Sequence, residues 1–237
     1  MSMLACKRWQ IAPPAPPVFF ERLPSVPPLV AQILYNRGIA TPQEAEAFLE
    51  GTFESDNPFR MKDVDVAVTV LRKAIARRDP IVIYGDYDVD GVTASAILVQ
   101  TLESLGAQVK VHIPNRVDEG YGLNVEAITE LARCGARVLI TVDCGIRSLE
   151  EVAIARQLGM TVIVTDHHHI GPALPQADAV INPRRADCAY PFKDLAGVGV
   201  AYKLAQALLR TNKQVPLSTT QSSLDEAELL DLGALGT

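Results

Sequence analysis

Several things are scarce in this 237-residue sequence. It has four cysteines, Cys6, Cys134, Cys144 and Cys188, and no two of them form a C-x-x-C pair. That spacing argues against a zinc knuckle and for reduced, structural thiols. No apolar run approaches the length of a membrane span. The first ten residues lack the apolar core of a secretory signal. Together these absences point to a cytoplasmic protein. There is no excess of basic charge: the net charge is −6, which weighs against a broad basic nucleic-acid surface. It does not exclude a local one, because carboxylates that hold metal count as negative while their ions go uncounted. No internal repeat is visible, and no low-complexity tract beyond a proline-rich beginning.

What is present is organised around Ile81–Gly91. An apolar, β-branched run, Ile81-Val82-Ile83, leads through Tyr84 and Gly85 to Asp86, Asp88 and Asp90 at alternate positions, and then to Gly91. Alternate residues of an extended strand share a face, so continued extended backbone would aim all three carboxylates one way. Three such charges repel one another unless a cation sits among them, and oxygen ligands suit Mg²⁺ or Mn²⁺. The plainer alternative is an Asp-rich turn that caps the helix starting near Val92.

Residues 1–28 read as an irregular arm, because Pro13, Pro14, Pro16, Pro17, Pro24, Pro27 and Pro28 favour extended backbone. Trp9 is placed to pack the arm onto the body. Residues 29–78 read as a helical entry segment: an apolar helix to Arg37, a capping box at Thr41-Pro42-Gln43-Glu44, and an amphipathic helix over 63–77. From 79 onward the pattern alternates. Strands are expected at 81–84, 108–113, 137–142, 161–165 and 178–181, and helices at 92–105, 124–133, 148–158 and 198–210. This is the pattern of an α/β domain, a parallel sheet of about five strands with helices on both faces.

Three of the expected strands end in acid: the Asp86 group, then Asp143, then Asp166. In open parallel sheets the carboxyl ends of the strands form the ligand crevice. Asp166 is followed by His167, His168 and His169. One such histidine is more often a hydrogen-bonded surface or core group. Consecutive imidazoles on a rim of carboxylates suit Mn²⁺ or a pair of such ions. Asp166 is placed to orient a ligand histidine through its other ring nitrogen.

Gly85–Gly91, Asp143-Cys144-Gly145 and Asp166-His167-His168 together resemble the first three motifs of the DHH phosphoesterase superfamily. Arg116–Asn124, Pro191–Ala201, Leu230–Thr237 and the lead-in Pro58–Asp63 resemble its branch of exonucleases specific for single-stranded DNA. The resemblance covers nearly the whole chain. It implies a 5′→3′ exonuclease on single-stranded DNA, used in recombination and repair, with Mn²⁺ or Mg²⁺ as cofactor. It also implies Asp88, Asp90, Asp143 and His167 as metal ligands, Asp86 as a ligand or close neighbour, and His168 on metal or scissile phosphate. A further carboxylate is expected a few residues past Thr237, so the chain reads as an N-terminal piece that folds but hydrolyses DNA poorly.

Within that frame Asp143, central among the acidic strand ends, is the candidate bridge between two ions. Arg116 is assigned to a substrate phosphate, against a solvated loop arginine as the alternative. Gly120, Tyr121 and Gly122 lie on the same rim, where Tyr121 either stacks a base or covers the loop. Gly197 and Gly199 open a helix whose N-terminus is suited to phosphate, although tight helix packing explains them nearly as well. Two rival readings remain: another phosphoesterase of the superfamily, acting on short oligonucleotides, cyclic dinucleotides or pyrophosphate, and a non-enzymatic receiver-like or nucleotide-binding module.

Overall fold

The structure is a computed structural model that describes residues 10–50, 57–115, 120–217 and 224–237. Trp9, Cys6 and Arg116 lie outside the described residues. The chain divides into two compact units, Met1–Ser55 and Asp56–Thr237.

The first unit holds α1 (Pro17–Glu21), α2 (Pro28–Asn36) and α3 (Pro42–Glu50). The proline-rich arm is therefore not irregular throughout. Pro17 and Pro28 each open a helix, at the position where a missing N–H costs nothing. The expected capping box forms: the Thr41 hydroxyl accepts from Glu44 N, and the Glu44 carboxylate accepts from Thr41 N. Phe19, Leu23, Ala31, Leu34 and Ala45 make a small core of their own.

The second unit is built on β1 (Ile81–Tyr84), β2 (Val109–His112), β3 (Val138–Val142), β4 (Thr161–Thr165) and β5 (Ala179–Ile181). All pairings are parallel, in the order β2-β1-β3-β4-β5. Alternate residues of each strand face opposite sides. Ile81, Ile83, Ile140, Ile163 and Ile181 join the core beneath α4 (Val64–Arg77), α5 (Val89–Ser104) and α8 (Gly197–Gln214). Val82, Tyr84, Leu139, Val162 and Val180 face α6 (Val125–Arg133) and α7 (Leu149–Gln157). A sheet covered on both faces needs near-continuous apolar strands, which is what these strands supply.

The amphipathic helix that the sequence groups with the entry segment belongs with the sheet. Met61, Val64, Val68 and Leu71 are buried in its core. Asp63, just before α4, accepts from Val180 N at 3.1 Å and from Arg185 Nη1 at 2.6 Å, which ties the start of α4 to β5. A short α9 (Leu230–Gly236) closes the unit against α5. Among the described residues no helix is long and apolar enough to cross a membrane.

Candidate metal centre

The strand order reverses between β1 and β3. At such a switch point the connections leave in opposite directions and open a crevice at the carboxyl edge. The chain places Asp86 and Asp88 after β1 and Asp143 after β3, one group on each side of it.

The local backbone differs from the extended run expected after Tyr84. The strand stops there, and α5 begins at Val89, three residues earlier than the sequence suggests. Asp88 is its N-cap, with Oδ1 accepting from Gly91 N at 3.0 Å. Asp90 therefore stands in the first helical turn, not on a shared strand face. Helix-capping and metal-site readings of the Asp run are not rivals, since Asp88 serves the cap with one oxygen only. Gly91 is required by space: a Cβ there would lie 2.6 Å from Asp86 Cβ and 2.7 Å from Asp86 Cα and N.

Asp143 occupies a left-handed turn, φ 60°, directly after β3. Aspartate tolerates that conformation better than most residues. Its side chain is 2% exposed, and among the described residues its Oδ1 has no hydrogen-bond partner. His167 Nε2 stands 3.1 Å from that oxygen but is not aligned as a hydrogen bond. Burial pushes the Asp143 carboxyl up to about 6; His167 opposes the rise, and the Asp90 and Asp88 charges add to it. One imidazole edge is poor compensation for a buried carboxylate oxygen, and a cation is the partner that would relieve it.

The ligand atoms of Asp86, Asp88 and Asp143 lie within 4.8 Å of one another. Those of Asp143, His167 and His168 meet the same limit. Asp143 is the residue common to both groups. The donors of the first are all oxygen, which suits Mg²⁺ or Mn²⁺, and those of the second are oxygen and imidazole, which suits Mn²⁺ better than Mg²⁺.

Asp166 is spent on orientation. Its Oδ1 accepts from His167 N, His168 N and His168 Nδ1 at 2.7, 2.9 and 2.8 Å, and its Oδ2 from Ile146 N at 2.9 Å. Burial raises the Asp166 carboxyl, but these donors outweigh it and hold the group below the usual range. The same hydrogen bond raises the His168 imidazole, against burial. His167 is raised by Asp143 beside it, again against burial.

Asp90 sits at the edge of the centre, its Oδ2 3.6 Å from His167 Nε2. Both oxygens accept backbone N–H groups at the start of α8, from Gly197 at 2.8 Å and Val198 at 2.5 Å. Those two N–H groups therefore hold Asp90 and do not face an open phosphate site. Gly197 lets the helix come close: a Cβ there would lie 2.5 Å from Asp143 Oδ1. Gly199 packs on Leu195. Gly120 and Gly122 take left-handed turns, φ 79° and 84°. They flank Tyr121, whose ring meets His168 edge-on at 6.1 Å and whose hydroxyl lies 3.5 Å from His168 Nδ1. A cavity of about 460 Å³ opens beside them, lined by Tyr121, Leu123, Ile146, Arg147 and His168 among others.

Sequence alone gives no weight to Arg147, Asn182 and Arg184, which contact the carbonyls of the histidine turn. The available signal was position: Asn182 and Arg184 follow β5 directly, on the same rim.

A sequence model described as the DHH family, N-terminal domain, matches residues 80–237. This chain belongs to the DHH family. The DHH chain is 44% identical over 241 aligned residues to the single-stranded-DNA-specific exonuclease RecJ of Bacillus subtilis (strain 168), covering 99% of this chain and 29% of that protein. It is 41% identical over 221 residues to the enzyme of that name from Escherichia coli (strain K12), covering 90% of this chain and 37% of the relative. The crystal structure of RecJ in complex with Mn²⁺ from Thermus thermophilus superimposes with a TM-score of 0.72 at 30% identity, over 94% of this chain and 31% of that one. This DHH chain thus spans about a third of the length of these relatives.

Cys144, next to Asp143, is buried, with Sγ 3.8 Å from Tyr84 O. Burial pushes its thiol well above the ordinary range, and the Asp166, Asp143 and Asp86 charges add to that. A thiol with so little thiolate is a poor nucleophile. Native alkylation at pH 8 is therefore expected to modify the exposed Cys134 and leave Cys144 intact, as read by peptide mass. Prompt modification of Cys144 would mean that this core opens.

Proposed function

We propose that this chain carries the metal-binding domain of an exonuclease that hydrolyses single-stranded DNA from the 5′ end, in cytoplasmic recombination and repair. The observation that carries the reading is the pair of ligand groups that share Asp143, with its buried oxygen beside the His167 imidazole. The similarity to RecJ proteins, one of them crystallised with Mn²⁺, supports both the substrate and the metal.

In this reading Asp86, Asp88 and Asp143 would hold one ion and Asp143, His167 and His168 a second, with Asp90 beside them. Bound divalent cations supply positive charge for a phosphodiester and lower the pKa of water. The protein's own part is positional. Asp166 fixes the His168 ring through Nδ1, which stands 4.0 Å from Asp143 Oδ1. The raised His168 favours the protonated form, a donor to phosphate. Tyr121, 56% exposed, offers a ring face to a base of the strand. Arg116 is retained as the phosphate-clasping residue, supported by its place in the motif before Tyr121.

The test joins Mn²⁺ titration of the metal-free chain to a substrate panel, run on the full-length protein that carries it, of single-stranded DNA, duplex DNA, a cyclic dinucleotide and pyrophosphate. Mn²⁺ binding that Asp143→Ala abolishes is expected, with single-stranded DNA the preferred substrate. Preference for pyrophosphate or a cyclic dinucleotide would move the chain to another branch of the family. Absence of Mn²⁺ binding would end the metal reading.

A further inference from the structure

The histidine turn is gripped on both of its polar sides. Its N–H groups face Asp166. Its carbonyls face three side chains: Arg184 Nε donates to His167 O at 2.9 Å, Asn182 Nδ2 to His168 O at 3.0 Å, and Arg147 Nε to His169 O at 2.8 Å. Loop carbonyls at a surface ordinarily find water. Three in succession held by protein donors leave the turn little freedom.

Arg184 reaches further than the other two. Its Nη2 donates to Asp194 Oδ1 at 2.8 Å. Asp194 stands three residues before Gly197, whose N–H holds Asp90. The backbone from which Arg184 departs is fixed in turn, since Arg184 N donates to Oδ1 of the fully buried Asn182 at 2.8 Å. One guanidinium therefore connects the two sides of the centre, the histidine turn after β4 and the segment that opens α8.

We propose that Arg184 is a positioning residue, a strut that sets where His167 Nε2 stands relative to Asp143 and Asp90. The geometry is independent of the metal reading; only its consequence for ion affinity rests on it. The ion pair with Asp194 does not account for the residue, because Asp194 is 71% exposed and such pairs contribute little. The contact to the His167 carbonyl is the part that matters. A planar guanidinium serves two acceptors at once in a fixed geometry, which an ammonium does not.

The test uses the full 237-residue chain with Arg184→Ala, Arg184→Lys and Asp194→Asn. In metal-free protein, the His167 ring resonances should shift and broaden in Arg184→Ala and recover in part in Arg184→Lys. Those of His112, on β2, should stay in place. Mn²⁺ affinity should fall about ten- to a hundredfold in Arg184→Ala, the range found when groups that orient a ligand are removed. Asp194→Asn should cause a smaller fall. Unmoved His167 resonances with unchanged Mn²⁺ affinity in Arg184→Ala would overturn the proposal. If Arg184→Ala does not fold, a folded Arg184→Lys with wild-type His167 resonances overturns it equally. Wild-type protein that binds no Mn²⁺ would refute the metal reading, and the His167 resonances would then decide this proposal alone.

Discussion

Asp143→Asn is expected to make the metal-free protein more stable and to destroy its response to Mn²⁺. In the folded state the Asp143 carboxyl is pushed up to about 6, chiefly by burial, from an ordinary value of 3.8. The native state therefore binds more protons than the unfolded state between those values. Stability falls as pH rises across that window and stays lower above it. At pH 8 the full cost of burying the charge is present, on the order of 3 kcal/mol. Asparagine carries no charge, so its melting temperature in chelator should exceed that of the wild type by several degrees at pH 8. Below about pH 4 the difference should disappear.

Added Mn²⁺ should raise the wild type by mass action and leave the variant nearly unmoved, because both ligand groups contain Asp143. If the proposed exonuclease reading holds, the same change in a longer, active protein should lower turnover by about a thousandfold or more, since several kcal/mol of charge stabilisation are lost. Thermal melts with and without Mn²⁺ at pH 4 and pH 8 measure all but the last effect. A variant less stable than wild type at pH 8 in chelator, or one still protected by Mn²⁺, would contradict the role given to Asp143. The group is thus expected to cost stability in order to bind metal, as site residues often do.

The second large effect is expected at Gly91. In a helix, Gly→Ala alone would stabilise by about 1 kcal/mol. Here the new methyl would press on Asp86 Cβ, Cα and N at 2.6–2.7 Å. Two of those atoms are backbone and cannot swing away. Nor can the residue before them retreat freely, since Gly85 N bonds His112 O at 3.0 Å. Overpacking typically costs about 1–3 kcal/mol and occasionally more. With backbone as the obstacle, Gly91→Ala should destabilise by more than about 2 kcal/mol net. For a domain of this size that lowers the melting temperature by roughly 5 °C or more. Gly233→Ala is the control: it is helical, and a Cβ there meets nothing within 4 Å among the described residues. It should be neutral or slightly stabilising. Equal melting of both variants would show that the approach of α5 to Asp86 is loose.

The five strands were legible in the sequence to within a residue at each end, because a sheet buried on both faces must be written as apolar runs. The rim was legible for the same reason: once strands are placed, acid at their ends points to one edge. Asp86, Asp88, Asp143, Asp166 and the histidines could be chosen on that logic.

Three things were decided only by tertiary structure. The sharing of Asp143 between two ligand groups depends on strand order, because β1 and β3 are neighbours despite the β2 and α6 lying between them in sequence. The task of Asp90 depends on where α5 begins and on α8 arriving 107 residues later to donate its N–H groups. Arg184 carries no mark in the sequence beyond its place just after β5, since a hydrogen bond to a main-chain carbonyl imposes no residue pattern on the partner. Periodicity records which face of an element is buried. It does not record which distant backbone groups that burial brings within 3 Å, and the fine geometry of this centre is made of those.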